Sequence, residues 1–150
     1  MKRSVKYSDF IIREYREDDF NGISRLWELT GMGSPERGDT LRIVGETIRL
    51  GGQLLVMEEK GTGIISGTSW MTFDGRRILL HHFSVLPEFQ GKGLSKILMN
   101  ESLQFVKEKG YQVKLEVHSS NKKAITLYKK VGFRLLDGYD VYIIRDIEKL

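Results

Sequence analysis

Apolar residues recur at a period of about two in some stretches and of about 3.6 in others, and the switches between them divide the chain into elements. Phe10 to Tyr15 is a short run of strand length. Asp18 or Asp19 is placed to cap a helix through Thr30, with Phe20, Ile23, Leu26 and Trp27 along one side, and Gly31-Met32-Gly33-Ser34-Pro35 breaks it. Leu41, Val44 and Ile48 give a second helix, Thr40 to Leu50, ended by Gly51-Gly52. The period then changes to that of strands. Gln53 to Glu59 is followed by a Gly61/Gly63 turn and by Ile64 to Phe73, and Asp74-Gly75 turns the chain into Arg76 to Val85. A helical pattern covers Leu94 to Lys109, a strand Gln112 to Val117, and a further helix begins near Asn121 and stops at Gly132. Phe133 to Leu136 and Val141 to Asp146 read as a closing hairpin. The order is β-α-α-β-β-β-α-β-α-β-β, an α/β (α+β) chain with a mixed sheet and helices on both faces.

No repeat, low-complexity tract or Pro/Ser-rich linker interrupts this order, so residues 1–150 read as one domain. With 40% hydrophobic and 29% charged residues the chain is a soluble globular type, and no apolar run approaches the ~20 residues of a membrane span. The stretch Met1 to Asp9 has basic residues without an apolar core behind them, which is not the pattern of a signal peptide, and a cytoplasmic location is the simplest expectation. The absence of cysteine removes disulfides, thiolate metal sites and a cysteine nucleophile together. No metal is expected. The net charge of +4 is spread along the chain, and the aromatics follow core periodicity without interleaving with a basic patch. Nucleic acid is therefore a poor fit and a small polyanionic ligand a better one. A homodimer is an allowed assembly.

Two segments carry chemistry. In Val85-Leu86-Pro87-Glu88-Phe89-Gln90-Gly91-Lys92-Gly93-Leu94-Ser95, two glycines join a strand to a helix. Glycine lets the backbone approach a ligand closely, and the free N–H groups and dipole of the helix start favour an anion. In Asn121 to Phe133, Asn121 is a good helix cap and Ala124, Ile125, Leu127, Tyr128 and Val131 make an apolar face, with Gly132 as the stop.

Together these segments resemble the GNAT superfamily of acyl-CoA-dependent N-acetyltransferases. Its phosphate motif, Gln/Arg-x-x-Gly-x-Gly/Ala, aligns with Glu88 to Gly93, and a second pattern, Asn-x-x-Ala-x-x-Leu-Tyr-x-x-x-Gly-Phe, is met at Asn121, Ala124, Leu127, Tyr128, Gly132 and Phe133. Glu88 departs from the first pattern, and a carboxylate pointing inward there would repel a phosphate. The resemblance implies a mostly antiparallel sheet and acetyl-CoA as co-substrate. It implies phosphate cradling by the backbone of Gln90, Gly91, Lys92, Gly93, Leu94 and Ser95. The pantetheine arm would pair with Phe83, Ser84 and Val85 like an added strand, and Asn121 would bond near it. Lys92, Lys96, Lys122 and Lys123 are further candidates for the phosphates.

Direct transfer to a primary amine, without an acyl-enzyme, is the implied reaction. The alternative is a non-catalytic acyl-CoA-binding or regulatory module on the same fold. Tyr128 matches the family's general acid for the departing thiolate. A base must offset the ~4.6 kcal/mol needed to deprotonate a lysine-like amine at pH 7. His81 occupies the family's frequent base position, four before Val85; His82, Glu116, His118 or a water chain are the alternatives. Strand alternation puts His81 and His82 on opposite faces. The acceptor, a small molecule or a peptide, is not named by the sequence. Glu36 and Asp39, in the loop between the first two helices, and Asp137 and Asp140 near the C-terminus are carboxylates that could receive a cationic amine.

Overall fold

Strands β2 (Gln53–Glu59) and β3 (Ile65–Phe73) are buried along almost their whole length, which is why neither alternates strictly between apolar and charged residues. The computed structural model describes residues 5–150; Lys2 and Arg3, part of the N-terminal stretch considered above, lie outside them. The other elements are β1 (Phe10–Glu14), α1 (Phe20–Thr30), α2 (Leu41–Arg49), β4 (Ile78–Leu80), β5 (Ser84–Val85), α3 (Leu94–Lys109), β6 (Val113–Leu115) and α4 (Lys122–Lys130). The chain divides into two compact units, Met1–Glu116 and Val117–Leu150. Among the described residues no helix is long and apolar enough to cross a membrane.

The first unit holds the sheet, ordered β1-β2-β3-β4-β6, with β5 paired to β3 beyond the end of β4. Its pairs are antiparallel except β4 with β6, where Leu80 faces Leu115 in parallel. That parallel pair requires a crossover, and α3 supplies it. Helices α1 and α2 cover the face that bears Thr68 and Trp70: Trp27 Nε1 donates to Thr68 Oγ1 at 2.9 Å, and Trp70 Nε1 to Thr47 Oγ1 at 2.9 Å. Helix α3 covers the other face, where Ser102 Oγ meets Ser69 Oγ at 2.6 Å and Leu98 packs against Gly67. A Cβ on Gly67 would lie 3.3 Å from Leu98 Cδ2 and 3.1 Å from Ser84 O, so glycine sets the depth of this packing.

Two expectations are corrected. The strand read over Arg76 to Val85 is two strands, β4 and β5, with an irregular stretch between them. Between the pairs Met71–Leu80 and Thr68–Ser84, β3 contributes Ser69 and Trp70 while the opposite segment contributes His81, His82 and Phe83. The extra residue makes a β-bulge. The closing hairpin over 133–146 is not formed; the second unit contains α4 and a 3-10 turn, Ile147–Lys149. The run Val141-Tyr142-Ile143-Ile144 has no polar face, so as a strand it would need cover on both sides. It has it on neither, with Tyr142 91% and Ile144 64% exposed.

Asp19 stands at the start of α1, yet its side chain does not cap that helix. Both carboxylate oxygens accept from Arg13 of β1, Nη1 and Nη2 each at 2.8 Å, and Oδ2 also accepts from Arg16 N at 2.7 Å. Arg13 Nε donates to Glu58 of β2 at 2.9 Å. Burial pushes the Asp19 carboxyl up, but these donors outweigh it and hold it below the usual range. A depressed folded-state pKa contributes stability above the unfolded value near ~3.9, and the contribution is lost as pH falls through the folded one. Arg13 keeps Glu58 as a partner, so Asp19→Asn should cost about 2 kcal/mol at neutral pH through loss of the two-pronged charged contact. In urea titrations its deficit against the parent should shrink below about pH 4.

Candidate active site

Phe89 anchors the glycine turn: it is buried edge-on to Phe10 of β1, with ring centroids 5.1 Å apart. Pro87–Phe89 forms a 3-10 turn directly after β5, and Gln90 Nε2 donates back to Val85 O at 2.8 Å. Gly91 and Gly93 then adopt φ of 74° and 80°, the left-handed region in which a side chain is strained. Gly93 is the cap residue of α3, so no side chain satisfies the first N–H groups of that helix, whereas Thr40 caps α2 and Asn121 caps α4. A Cβ on Gly91 would meet nothing within 4 Å, and one on Gly93 would run into the Tyr7 hydroxyl. The turn thus presents an open backbone face and an uncapped helix start, which fits a phosphate.

The geometry also moves the register of the phosphate motif. The same pattern fits two residues later, with Gln90 first, Gly93 fourth and the small Ser95 sixth. In that register the glutamine ties the turn to β5, as its 2.8 Å bond shows, and the motif's glycine caps α3. Glu88 instead lines a cavity of about 290 Å³ with Arg13, Arg25, Leu29 and Ile64. Its carboxylate does not count against a bound phosphate. Lys92 is half-buried with Nζ 6.0 Å from the Phe89 ring centre, and Lys96 is exposed on the first turn of α3.

Phe83, Ser84 and Val85 are buried, and β5 makes its only ladder, among the described residues, with β3. The bulge immediately before it gathers both histidines. His81 and His82 do not lie on opposite faces: their rings are 5.6 Å and 5.2 Å from the Trp70 ring and 6.3 Å from each other. The inserted residue interrupts alternation, so neighbours in sequence come to share one face. Thr68 Oγ1, which accepts from Trp27, donates to the His82 carbonyl at 2.9 Å and fixes the bulge. His81 Nε2 is 2.7 Å from Thr72 Oγ1. Burial, with the like charge of His82 adding to it and Asp39 opposing, pushes the His81 pKa down to about 4, so His81 is neutral at physiological pH.

His82 packs on Trp27 at 4.6 Å, and Trp27 and Trp70 stack at 5.5 Å. Its Nε2 lies 3.0 Å from Asp39 Oδ2, with side-chain exposures of only 16% and 8%. The carboxylate is off the N–H direction, so Nε2 has no aligned hydrogen bond and the contact is one of charge and proximity. Trp27, Trp70, Thr68 and Thr72 were not legible as site residues, since helix and strand periodicity assign them simply to the core.

In the second unit, Asn121 Oδ1 accepts from Ala124 N at 3.2 Å, so the cap is made. The Tyr128 ring meets Phe133 edge-on at 5.8 Å, and Phe133 N donates to Tyr128 O at 3.0 Å, closing the helix end. Burial raises the Tyr128 phenol above its ordinary pKa. Lys122, Lys123, Asp137 and Asp140 are exposed, as is His118, whose Nδ1 is 2.7 Å from Ser120 Oγ. Glu116, at the end of the first unit, is also exposed.

A bulged mixed sheet feeding a glycine turn and an uncapped helix is an acyltransferase type of architecture, in keeping with the motifs read above. The acetyltransferase (GNAT) family pattern matches residues 13–133, and the chain belongs to that family. Among solved structures it resembles an acetyltransferase of Trypanosoma brucei, with a TM-score of 0.72 and 25% identity over 91% of this chain and 100% of that one. AAC(6')-Iy in complex with the bisubstrate analog CoA-S-monomethyl-acetylneamine matches with a TM-score of 0.73 at 16% identity, over 91% and 99% of the two chains. The ribosomal-protein-S18-alanine N-acetyltransferase of Escherichia coli matches at 0.70 and 17%, over 83% and 77%. At those identities the last two share the fold alone.

Proposed function

We propose that this protein moves an acetyl group from acetyl-CoA to a primary amine by direct transfer in a ternary complex. The observation that carries the reading is the turn from Gln90 to Ser95, open at Gly91 and uncapped at Gly93, directly after a strand paired on one side. Backbone N–H groups of Gln90, Gly91, Lys92, Gly93, Leu94 and Ser95 hold the phosphates, where the fixed dipoles of the helix start act. The backbone of Phe83, Ser84 and Val85 takes the pantetheine arm as an added strand. Asn121 has its carbonyl oxygen spent on the cap and keeps its amide N–H for the bond to CoA that the family resemblance implies.

Tyr128 is the general acid. Burial keeps its phenol protonated, so it can supply the proton that the departing thiolate requires. The amine's proton leaves through the histidine pair His81–His82, the titratable groups beside the proposed pantetheine strand. The acceptor is an amine on a small molecule or a peptide.

CoA at a hundredfold its Kd should stabilise the protein by ~2.7 kcal/mol in a thermal melt. Thiol release from acetyl-CoA across a panel of polyamines, amino sugars, amino acids and peptide N-termini should identify the acceptor. A protein that CoA leaves unshifted loses both the enzymatic and the acyl-CoA-binding readings. One that binds CoA yet acetylates no amine is the non-catalytic module.

A further inference from the structure

Resting on that reading, we infer that His82, and not His81, accepts the acceptor's proton, and that Asp39 of the α1–α2 loop is its positioning residue. The bulge brings both imidazoles to Trp70, but their environments differ. The Nε2 of His81 is engaged by the neutral Thr72 hydroxyl at 2.7 Å, a partner that does nothing to hold a second positive charge. The Nε2 of His82 faces a carboxylate at 3.0 Å, and its ring lies 4.6 Å and 5.2 Å from two indoles. A carboxylate and aromatic faces within ~6 Å both stabilise an imidazolium.

Asp39 also selects the tautomer. A nitrogen lone pair turned on a carboxylate is repelled, so Nε2 carries the hydrogen and Nδ1 the free lone pair. With Nε2 turned to the carboxylate, Nδ1 is the nitrogen left for the substrate. The carboxylate is itself held, because Oδ2 accepts from Ser34 N at 2.7 Å while Asp39 N donates to Ser34 O at 3.1 Å. The loop between the first two helices thereby reaches the bulge. The charged and titratable groups facing His82 are Asp39 from the loop and His81 from its own segment. The elements α1, α2 and β3 present Trp27, Thr47, Thr68, Trp70 and Thr72, none of which titrates.

The protons balance. The acceptor enters as an ammonium and gives one proton to His82 Nδ1, which later releases it to solvent. The C–N bond forms as the C–S bond breaks, and Tyr128 protonates the sulfur. The second proton lost by the nitrogen restores the phenol, directly or through water. The products are the amide, the thiol and one proton.

The test has two arms. In the protein without CoA, ¹⁵N NMR should show the neutral His82 ring as the Nε2–H tautomer, and Asp39→Asn should raise the share of the Nδ1–H form. An Nδ1–H ring in the parent, or a tautomer balance unmoved by Asp39→Asn, overturns the part given to Asp39. In steady-state kinetics with the best panel amine, His82→Gln should lower kcat roughly a hundredfold, leave the KM for acetyl-CoA within about threefold, and abolish the acidic limb of the pH profile. Asp39→Asn should shift that limb. A His82→Gln enzyme that keeps both rate and limb overturns the assignment while the acetyltransferase reading stands. A wild type that binds CoA and acetylates nothing overturns that reading itself, and CoA binding by the variants shows that each is folded.

Discussion

Gly91→Ala should weaken CoA binding by roughly a hundredfold while the protein remains folded. Two costs are involved, and they fall on different quantities. At φ 74° any L side chain is strained, which takes about 1–2 kcal/mol from stability whether or not ligand is present. The methyl group itself costs the fold nothing further, because no atom lies within 4 Å of where it would stand. In the proposed site that emptiness is the face offered to the phosphate. Displacing the anion from even one charge-assisted N–H bond forfeits about 1.5–3 kcal/mol of binding, and a hundredfold corresponds to ~2.7 kcal/mol. Gly93→Ala is the internal comparison. It has the same backbone strain at φ 80°, but its Cβ is directed at the hydroxyl of Tyr7, an exposed side chain that can swing aside. Urea unfolding should find the two variants similarly destabilised, and calorimetry should find CoA affinity hit harder in Gly91→Ala. Equal affinities would move the phosphate off the open face of Gly91.

That turn was legible in the sequence because its chemistry is backbone chemistry, and glycines between a strand and a helix announce it directly. Helix α3 and strand β2 were legible to the residue, Leu94–Lys109 and Gln53–Glu59, since glycines stand at or next to their ends, Gly93 and Gly110 for the helix, Gly52 and Gly61 for the strand. The histidine nest was half legible. Two imidazoles near the cleft strand could be named, and so could Asp39, but not their meeting. Alternation assumes that no residue is inserted, and a bulge leaves no mark in composition: His81-His82-Phe83 opposite Ser69-Trp70 appears only when the strands are paired. The motif register was open to a better reading of the sequence. Gln90 is the residue type the pattern asks for and Glu88 is not, and the bond from Gln90 to Val85 agrees with the later register. The C-terminal hairpin failed because an apolar, β-branched run states a preference for strand, whereas a strand also needs a partner to bond.

Tyr128→Phe should lower kcat about a hundredfold and leave CoA affinity within about threefold. Two contacts survive the substitution: the edge-on contact with Phe133 at 5.8 Å is made by carbon, and the Phe133 N–H bonds the backbone carbonyl of residue 128. Helix α4 should therefore keep its end, and thermal stability should fall by no more than about 1 kcal/mol. What is lost is the proton for the sulfur. The sign of the pH dependence follows from burial, which raises the phenol above 10. The acid form is present throughout the neutral range, and the parent's kcat should decline only above that value, as the phenol ionises. In Tyr128→Phe that alkaline limb should vanish along with most of the rate. A low, flat profile at high pH identifies the tyrosine as the proton donor. A variant that turns over like the parent reduces Tyr128 to one half of an aromatic pair, and the proton must then reach the thiolate from solvent.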